Sequence, residues 1–411
     1  MAQFTQSSYS VFGLGDIHWE GTSQNAGMGG LGISNGNKFY VNTLNPALQA
    51  INYEAVFQTG LAVGNRTFTA SGEDETFSGT AGSFRDLALT LPVVLGKWNL
   101  GLSLTPYSTV NFGFQQTQPG PDGSSTQVDV SGEGGIDELA LTSSFNLGNL
   151  KLGIEGALYF GQIRNNDIFE LQDVQQVGFG TTQVQTRRSF SKVSATLGAV
   201  YRLPLGENKF VNFGGFFSPG FDLGQKSLVT FENLAEQGGV FSKDTLVFDD
   251  DQNLSVSVPD RIGLGISYQQ TRKLTLGIDL QFQNWDDYRD QEGRPSANLN
   301  QAYRLAIGGE FIPNFSETTS SLLEVISYRV GVHFERTPFL VSGENIDDFG
   351  LSLGFSIPLN AVWGYSNINF GMTIGSRGNL NTVNLIRENY LKFNLGFSLQ
   401  DITWFAKQRF N

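Results

Sequence analysis

Near the end of the chain, Leu391, Phe393, Leu395, Phe397 and Leu399 take every second position, with Lys392, Asn394, Gly396, Ser398 and Gln400 between them. Successive side chains of a strand point to opposite faces, so this period separates one apolar face from one polar face; a helix would scatter the same residues around its axis. The pattern returns from Leu274 to Gln283 and from Ile326 to Glu335, and in looser form at Leu87 to Val93, Trp98 to Leu104, Leu152 to Phe160, Val193 to Leu203 and Ile368 to Ile374. Fourteen such segments are predicted, starting near residues 53, 77, 97, 127, 150, 183, 208, 254, 273, 300, 325, 346, 364 and 389.

The connections alternate in length. Short ones fall at Leu95 to Lys97, Asn146 to Leu150, Pro204 to Lys209, Gln270 to Lys273, Pro313 to Thr319 and Pro358 to Val362. Longer polar ones lie between them, the longest at Asn165 to Thr181 and Phe221 to Asn253, the expected third and fourth loops. Short turns on one side of a membrane and long loops on the other, with an even strand count, predict an all-β fold: a 14-stranded antiparallel transmembrane β-barrel. Trp98, Tyr107, Trp285, Tyr303, Trp363, Tyr365, Trp404 and Phe405 fall near strand ends, where interfacial rings are expected.

Composition narrows the class. With 50 Gly, 34 Phe and only 16% charged residues among 411, the chain suits close-packed strands better than amphipathic helices. Mean hydropathy is −0.15, and no apolar run approaches the ~18 residues a membrane helix needs. A barrel needs no such run, because only alternate residues face lipid. Cysteine is absent, which removes disulfides and thiolate metal sites. The net charge of −13 argues against nucleic acid as a partner. Met1-Ala2-Gln3 has no basic and apolar leader, so Ala2-Gln3 reads as the junction left by signal-peptide removal, with the cell outer membrane of a Gram-negative bacterium as the expected location.

The first fifty residues lack the pattern. Residues 1–50 are expected to form an N-terminal plug, or hatch, and residues 51–411 the barrel. The plug motif is Gly27-Met28-Gly29 within a Gly-rich run, closing on Asn45-Pro46-Ala47. Glycines permit close backbone approach, and Pro46 ends ladder pairing.

A Gly-Met-Gly run, then Asn-Pro-Ala, then fourteen strands resembles the outer-membrane long-chain fatty acid transporters of the FadL type, which include aromatic-hydrocarbon channels. The segment from Ser7 to Asp16 and the end from Trp404 to Phe410 resemble a Bacteroidota branch of such barrels. The resemblance implies an N-terminal hatch and a hydrophobic ligand groove on extracellular loops three and four. Apolar residues at those places here include Phe169, Leu171, Phe179, Phe231, Leu234 and Phe241, expected either to bind a ligand or to pack on one another.

Strand phase points Lys192, Arg202, Arg261, Arg304, Arg329 and Lys392 into the lumen, together with Glu155, Asp279, Glu310 and Glu335. Such cations would grip a carboxylate head group, or pair with carboxylates across the lumen and on the plug. Catalysis is not expected. His18 and His333 stand in no metal or nucleophile motif, and Ser327 and His333 are about 20 Å apart along one strand at ~3.3 Å per residue. No cofactor or metal is expected. Asp249 to Asp251 and Asp286, Asp287 and Asp290 read as a solvated acidic rim rather than a cation site bridging lipopolysaccharide. The expected partners are the lipid bilayer, lipopolysaccharide and a hydrophobic small molecule, with other outer-membrane proteins as a further class. The function that follows is passive uptake of hydrophobic small molecules; the alternative is an accessory barrel in a larger complex for secretion, surface assembly or protein insertion.

Overall fold

A computed structural model describes residues 7–72, 76–119, 125–172, 181–237, 240–314, 321–361, 364–380 and 385–401. Fourteen antiparallel strands close on themselves. They are β1 Ala55–Ala70, β2 Thr76–Val94, β3 Trp98–Pro119, β4 Ser125–Leu147, β5 Leu150–Gln172 and β6 Thr181–Gly206. β7 comprises Lys209–Ser218 and its continuation Phe221–Gln237; β8 comprises Val240–Val258 and its continuation Arg261–Gln270. The circuit ends with β9 Leu274–Asn284, β10 Gln301–Phe311, β11 Ser327–Val341, β12 Glu344–Ala361, β13 Gly364–Arg377 and β14 Ile386–Asp401. β14 pairs with β1 from Ile386 opposite Ala70 to Asp401 opposite Ala55, which removes the sheet edge at membrane depth.

The period-two pattern maps directly onto the wall. On β9, Leu276, Ile278, Leu280 and Phe282 are exposed, while Asp279, Gln281 and Gln283 are buried inside. On β14, Phe393, Leu395, Phe397 and Leu399 face outward, and Asn394, Ser398 and Gln400 inward. An outward apolar band of this kind is stable only against lipid, which makes the fold a transmembrane barrel of the outer-membrane type.

The wall is not of even height. β4 and β5 run 23 residues each and β6 runs 26, whereas β9 and β10 run 11. At ~3.3 Å per residue and a tilt of about 40°, 23 residues rise about 58 Å and 11 residues about 28 Å. An apolar band about 25 Å tall therefore uses the whole of β9 but less than half of β5. The excess length of β3 to β8 stands beyond the membrane on the long-loop side as a continuous sheet, here called the crown.

This corrects the loop assignment. Phe221 to Asn253 is not a loop but the outer arms of β7 and β8, paired from Phe221 opposite Val258 to Gln237 opposite Val240. β8 accordingly starts at Val240 rather than near residue 254. The segment from Asn165 onward continues β5 as far as Gln172. The misreading has a physical cause. Pro219-Gly220 and Pro259-Asp260 interrupt both strands at one level and look like strand ends. Above that level neither face meets lipid, so the alternation that marks a strand disappears.

Two aromatic placements also differ. Tyr107 and Trp285 are buried inside the barrel rather than at an interface. Tyr107 holds the lumenal phase of β3, and a bulge between Pro106 and Ser108 inverts the phase above it, turning Val110 and Phe112 inward as well. Trp285 sits on a short 3-10 turn after β9 that folds back over the lumen. Trp363, Trp404 and Phe405 lie outside the described residues.

Candidate functional site

Residues 7 to 52 run through the barrel from the outer mouth to the inner rim. At the outer end the Ser7 amide donates to the Asn111 carbonyl at 3.2 Å; at the inner end the Asn99 side chain donates to the Gln49 carbonyl at 2.6 Å. Between these points most residues are buried and none is exposed.

The wall accommodates this segment through its glycines. Met28 lies with its carbonyl against Gly308 and Gly331, which face each other across β10 and β11, and Gly27 rests on Gly354 and Gly371 of β12 and β13. Pro46 and Ala47 sit on Gly153 and Gly198, paired across β5 and β6. A β-carbon at most of these positions would overlap the segment's backbone, so these wall glycines are seats for residues 20 to 50. Gly29, at φ +71°, turns the chain where an L side chain would be strained. Asn45 is fully buried: its side-chain N–H donates to the Ile33 carbonyl at 2.8 Å and its oxygen accepts from the Ala47 amide at 3.1 Å. Asp279 of β9 accepts from the Gly32 and Ile33 amides at 2.6 and 2.7 Å.

Charge ties the same segment to the wall. Glu20 pairs with Arg85 at 2.9 Å and with Lys392 at 3.5 Å, and lies 4.0 Å from Arg304. Asp16 pairs with Arg377 at 2.8 Å, and Arg377 also pairs with Asp348 at 2.8 Å. Burial alone would raise the Glu20 carboxyl, but Lys392, Arg85 and Arg304 together hold it well below the usual carboxylate range. His18, whose ring meets the Thr109 hydroxyl at 2.7 Å, is lowered by burial to about 4 and is neutral.

Lys192, expected in the lumen, is exposed instead; Arg202, Arg261, Arg304, Arg329 and Lys392 face inward and have partners. Arg304 pairs with Glu335 at 2.5 Å and Arg329 with Glu310 at 2.7 Å. Arg202 donates to Asn212 and Gln269, Arg261 donates to Gln281 and lies over the Trp19 ring, and Lys392 meets Glu20. Asp16 and Glu20 carry no periodicity that would have singled them out; their signal is that they are acidic residues in a segment facing an Arg-rich lumen.

Above the ion pairs the outer mouth is filled by an apolar cluster from both segment and wall, including Tyr9, Leu14, Trp19, Phe112, Trp285 and Phe339. Among the described residues the lumen holds cavities of about 50, 70 and 40 Å³. Sites for small organic molecules measure about 300–1,000 Å³, whereas a water needs only ~10–15 Å³. These spaces fit a few waters each, and their walls carry Glu138, Glu155 and Arg261, or Glu20 and Arg85, or Asp348 and Arg377.

The apolar residues expected to line a loop groove are on strands of the crown. Phe169 is opposite Val128 and Thr182, Leu171 opposite Thr126, Phe231 opposite Val184 and Leu246, Leu234 opposite Thr181 and Lys243, and Phe241 opposite Glu236. Phe231 and Leu246 are open to solvent, at 36% and 57% exposure. Phe179 lies outside the described residues.

Among the described residues no group of three or more His, Cys, Asp or Glu is arranged to hold a metal ion. The profile of the BamG family matches residues 1–411. The chain belongs to the BamG family. No curated protein matches it in sequence. In structure this BamG-family chain is similar to the CymD monoaromatic hydrocarbon channel, at 13% identity and TM-score 0.57 over 95% of this chain and 98% of that one. It is similar to the toluene transporter TodX of P. putida, at 14% identity and TM-score 0.61 over 93% and 99%. It is also similar to a FadL homologue of Pseudomonas aeruginosa, at 14% identity and TM-score 0.58 over 97% and 99%. The BamG-family chain thus has the fold of FadL-type outer-membrane channels, and these neighbours are channels rather than enzymes.

Proposed function

We propose that this chain is a closed outer-membrane barrel serving as an accessory subunit of a larger envelope complex, with residues 7–52 as a permanent plug and the crown as its outer contact surface. The observation that carries this reading is the filled lumen. The lumen is occupied by the chain's own Trp19, Trp285 and Phe339, and by at least five ion pairs. Opening that lumen means separating Glu20 from Arg85 and Lys392 and Asp16 from Arg377, and breaking one buried pair costs about 3–5 kcal/mol. The crown supports the same reading. A sheet rising about 30 Å above the bilayer, with Phe231 and Leu246 exposed, is costly in a solitary pore and useful in an assembly. Purification from native membranes in mild detergent tests it: stoichiometric partner proteins are expected. A solitary monomer carrying a hydrophobic ligand would contradict it.

The second reading, passive uptake of hydrophobic small molecules, is favoured by the fold shared with hydrocarbon channels and by a split in the wall. β2 and β3 pair only from Leu87 opposite Leu104 to Val94 opposite Trp98 and diverge above. A molecule released into that split would reach the outer leaflet once residues 7–18 moved aside. Uptake of a labelled alkane or toluene by cells carrying the chain, beyond that of cells lacking it, would support this reading.

A further inference from the structure

Above Leu104, β3 has lost β2 as a neighbour, so one edge of the crown begins there. Among the described residues, the chain's own N-terminal segment covers the base of that edge. Asp16 and Ile17 pair antiparallel with Thr109 and Ser108, the His18 amide donates to the Tyr107 carbonyl at 2.9 Å, and the Ser7 amide donates to the Asn111 carbonyl at 3.2 Å. The Asn111 amide in turn donates to the Ser10 hydroxyl at 3.1 Å. Odd-numbered residues of β3 therefore aim their N–H and C=O groups into this edge, and alternation carries the same direction to Gly113, Gln115 and Thr117. Among the described residues no strand pairs with that edge beyond Asn111. The side chains from Phe114 to Gln118 are exposed.

An open edge invites pairing, and solitary proteins block it with charge, proline or bulges. Between the bulge after Pro106 and the strand end at Pro119, the chain from Ser108 to Gln118 reads Ser-Thr-Val-Asn-Phe-Gly-Phe-Gln-Gln-Thr-Gln, without one charge or proline. The strand at the opposite edge of the crown, β8, differs in sequence, since Lys243, Asp244 and Asp249-Asp250-Asp251 belong to it. The β3 edge carries no such charge, and its lower part is already completed by an extended segment in antiparallel register.

We infer that the edge of β3 from Phe112 to Gln118 receives an extended segment of a partner protein, which joins the crown as an added strand and continues the ladder begun by Asp16 and Ile17. The inference rests on the accessory-subunit reading and names the mode of contact: main-chain hydrogen bonds to Gly113, Gln115 and Thr117, with outward side-chain positions setting selectivity. The partner needs a free, uncharged extended segment at the cell surface; a helical or purely electrostatic partner does not fit.

The test places the photoreactive residue p-benzoylphenylalanine at Gln115 and, separately, at Thr117 of the full chain in native outer membranes. Cross-linked peptides are then identified by mass spectrometry. The expected result is that both positions cross-link one segment of one partner, at points two residues apart, as a ladder requires. Thr117→Pro removes an N–H that faces the open edge and leaves the bonds to β4 intact, so the heat-modifiable barrel should form while recovery of the partner falls at least tenfold. Thr117→Lys, which adds a charge to the edge without touching the backbone, should act in the same direction. An intact complex with both variants overturns the inference and leaves the accessory reading standing, as do cross-links confined to lipopolysaccharide, to residues 7–18 or to a second copy of this chain. The absence of any stoichiometric complex in unmodified membranes overturns both.

Discussion

The carbonyl of Met28 stands where a β-carbon on Gly331 would be. With Gly308 across the ladder, this contact seats the plug backbone directly on the wall, and no side chain can be inserted without moving one or the other. Gly331→Val is expected to leave fourteen strands intact, to cost about 1–3 kcal/mol by overpacking, and to raise single-channel conductance as residues 24–32 shift. Heat-modifiable mobility and planar-bilayer recording measure the two effects separately.

Glu20 is the acidic centre of the lumenal segment, facing Arg85, Lys392 and Arg304. Glu20→Ala leaves those cations uncompensated in the lumen and is expected to destabilise the sealed state by about 3–5 kcal/mol. Proteolysis of residues 7–52 in folded protein should become at least tenfold faster. Glu20→Gln should lie between the two, because it keeps hydrogen bonding and loses charge.

The pH dependence follows from the same carboxylate. Its folded value is depressed below the unfolded value of about 4.3. Its contribution is therefore complete above that pH and lost as pH falls through the lower folded value. Conductance should stay low from pH 8 to about pH 6.5 and rise mainly below about pH 4. His18, held neutral by burial with its value lowered from about 6.5 to about 4, begins to weaken the sealed state as pH falls below about 6.5 and adds to the loss of the Glu20 charge in acid.

Leu395 and Ser398 test the two faces of one strand. Leu395 is 48% exposed to lipid, so Leu395→Arg should cost about 2–4 kcal/mol in bilayer refolding without opening the pore. Ser398 is fully buried on the lumen side, so Ser398→Arg has no room and should displace the plug, raising conductance. Sequence phase alone would rank the second change as harmless; packing of the plug reverses that expectation.

Strand number, phase and closure were legible because lipid imposes alternation on every membrane-spanning residue. β9 and β14 could be placed within a few residues from Leu274 to Phe282 and Leu391 to Leu399 alone. Above the membrane that constraint ends. The outer arms of β7 and β8 mix Leu228, Val229 and Phe231 with Lys226, Thr230 and Glu232 in no period, and Pro219 and Pro259 looked like termini. The inward direction of Arg304 and Arg329 was legible from phase; their partners were not, because pairing with Glu335 and Glu310 depends on register between strands. Asp16 and Glu20 stayed hidden because the plug has no repeat from which to read a face.

The central claim is that this barrel is sealed by its own first fifty residues, and planar-bilayer conductance of the full chain beside a variant lacking residues 4–44 tests it most directly. The full chain should show no stable openings at neutral pH, and the shortened chain, still heat-modifiable, should conduct as an open pore. Steady conductance from the full chain, or an unchanged record after the deletion, would contradict the account.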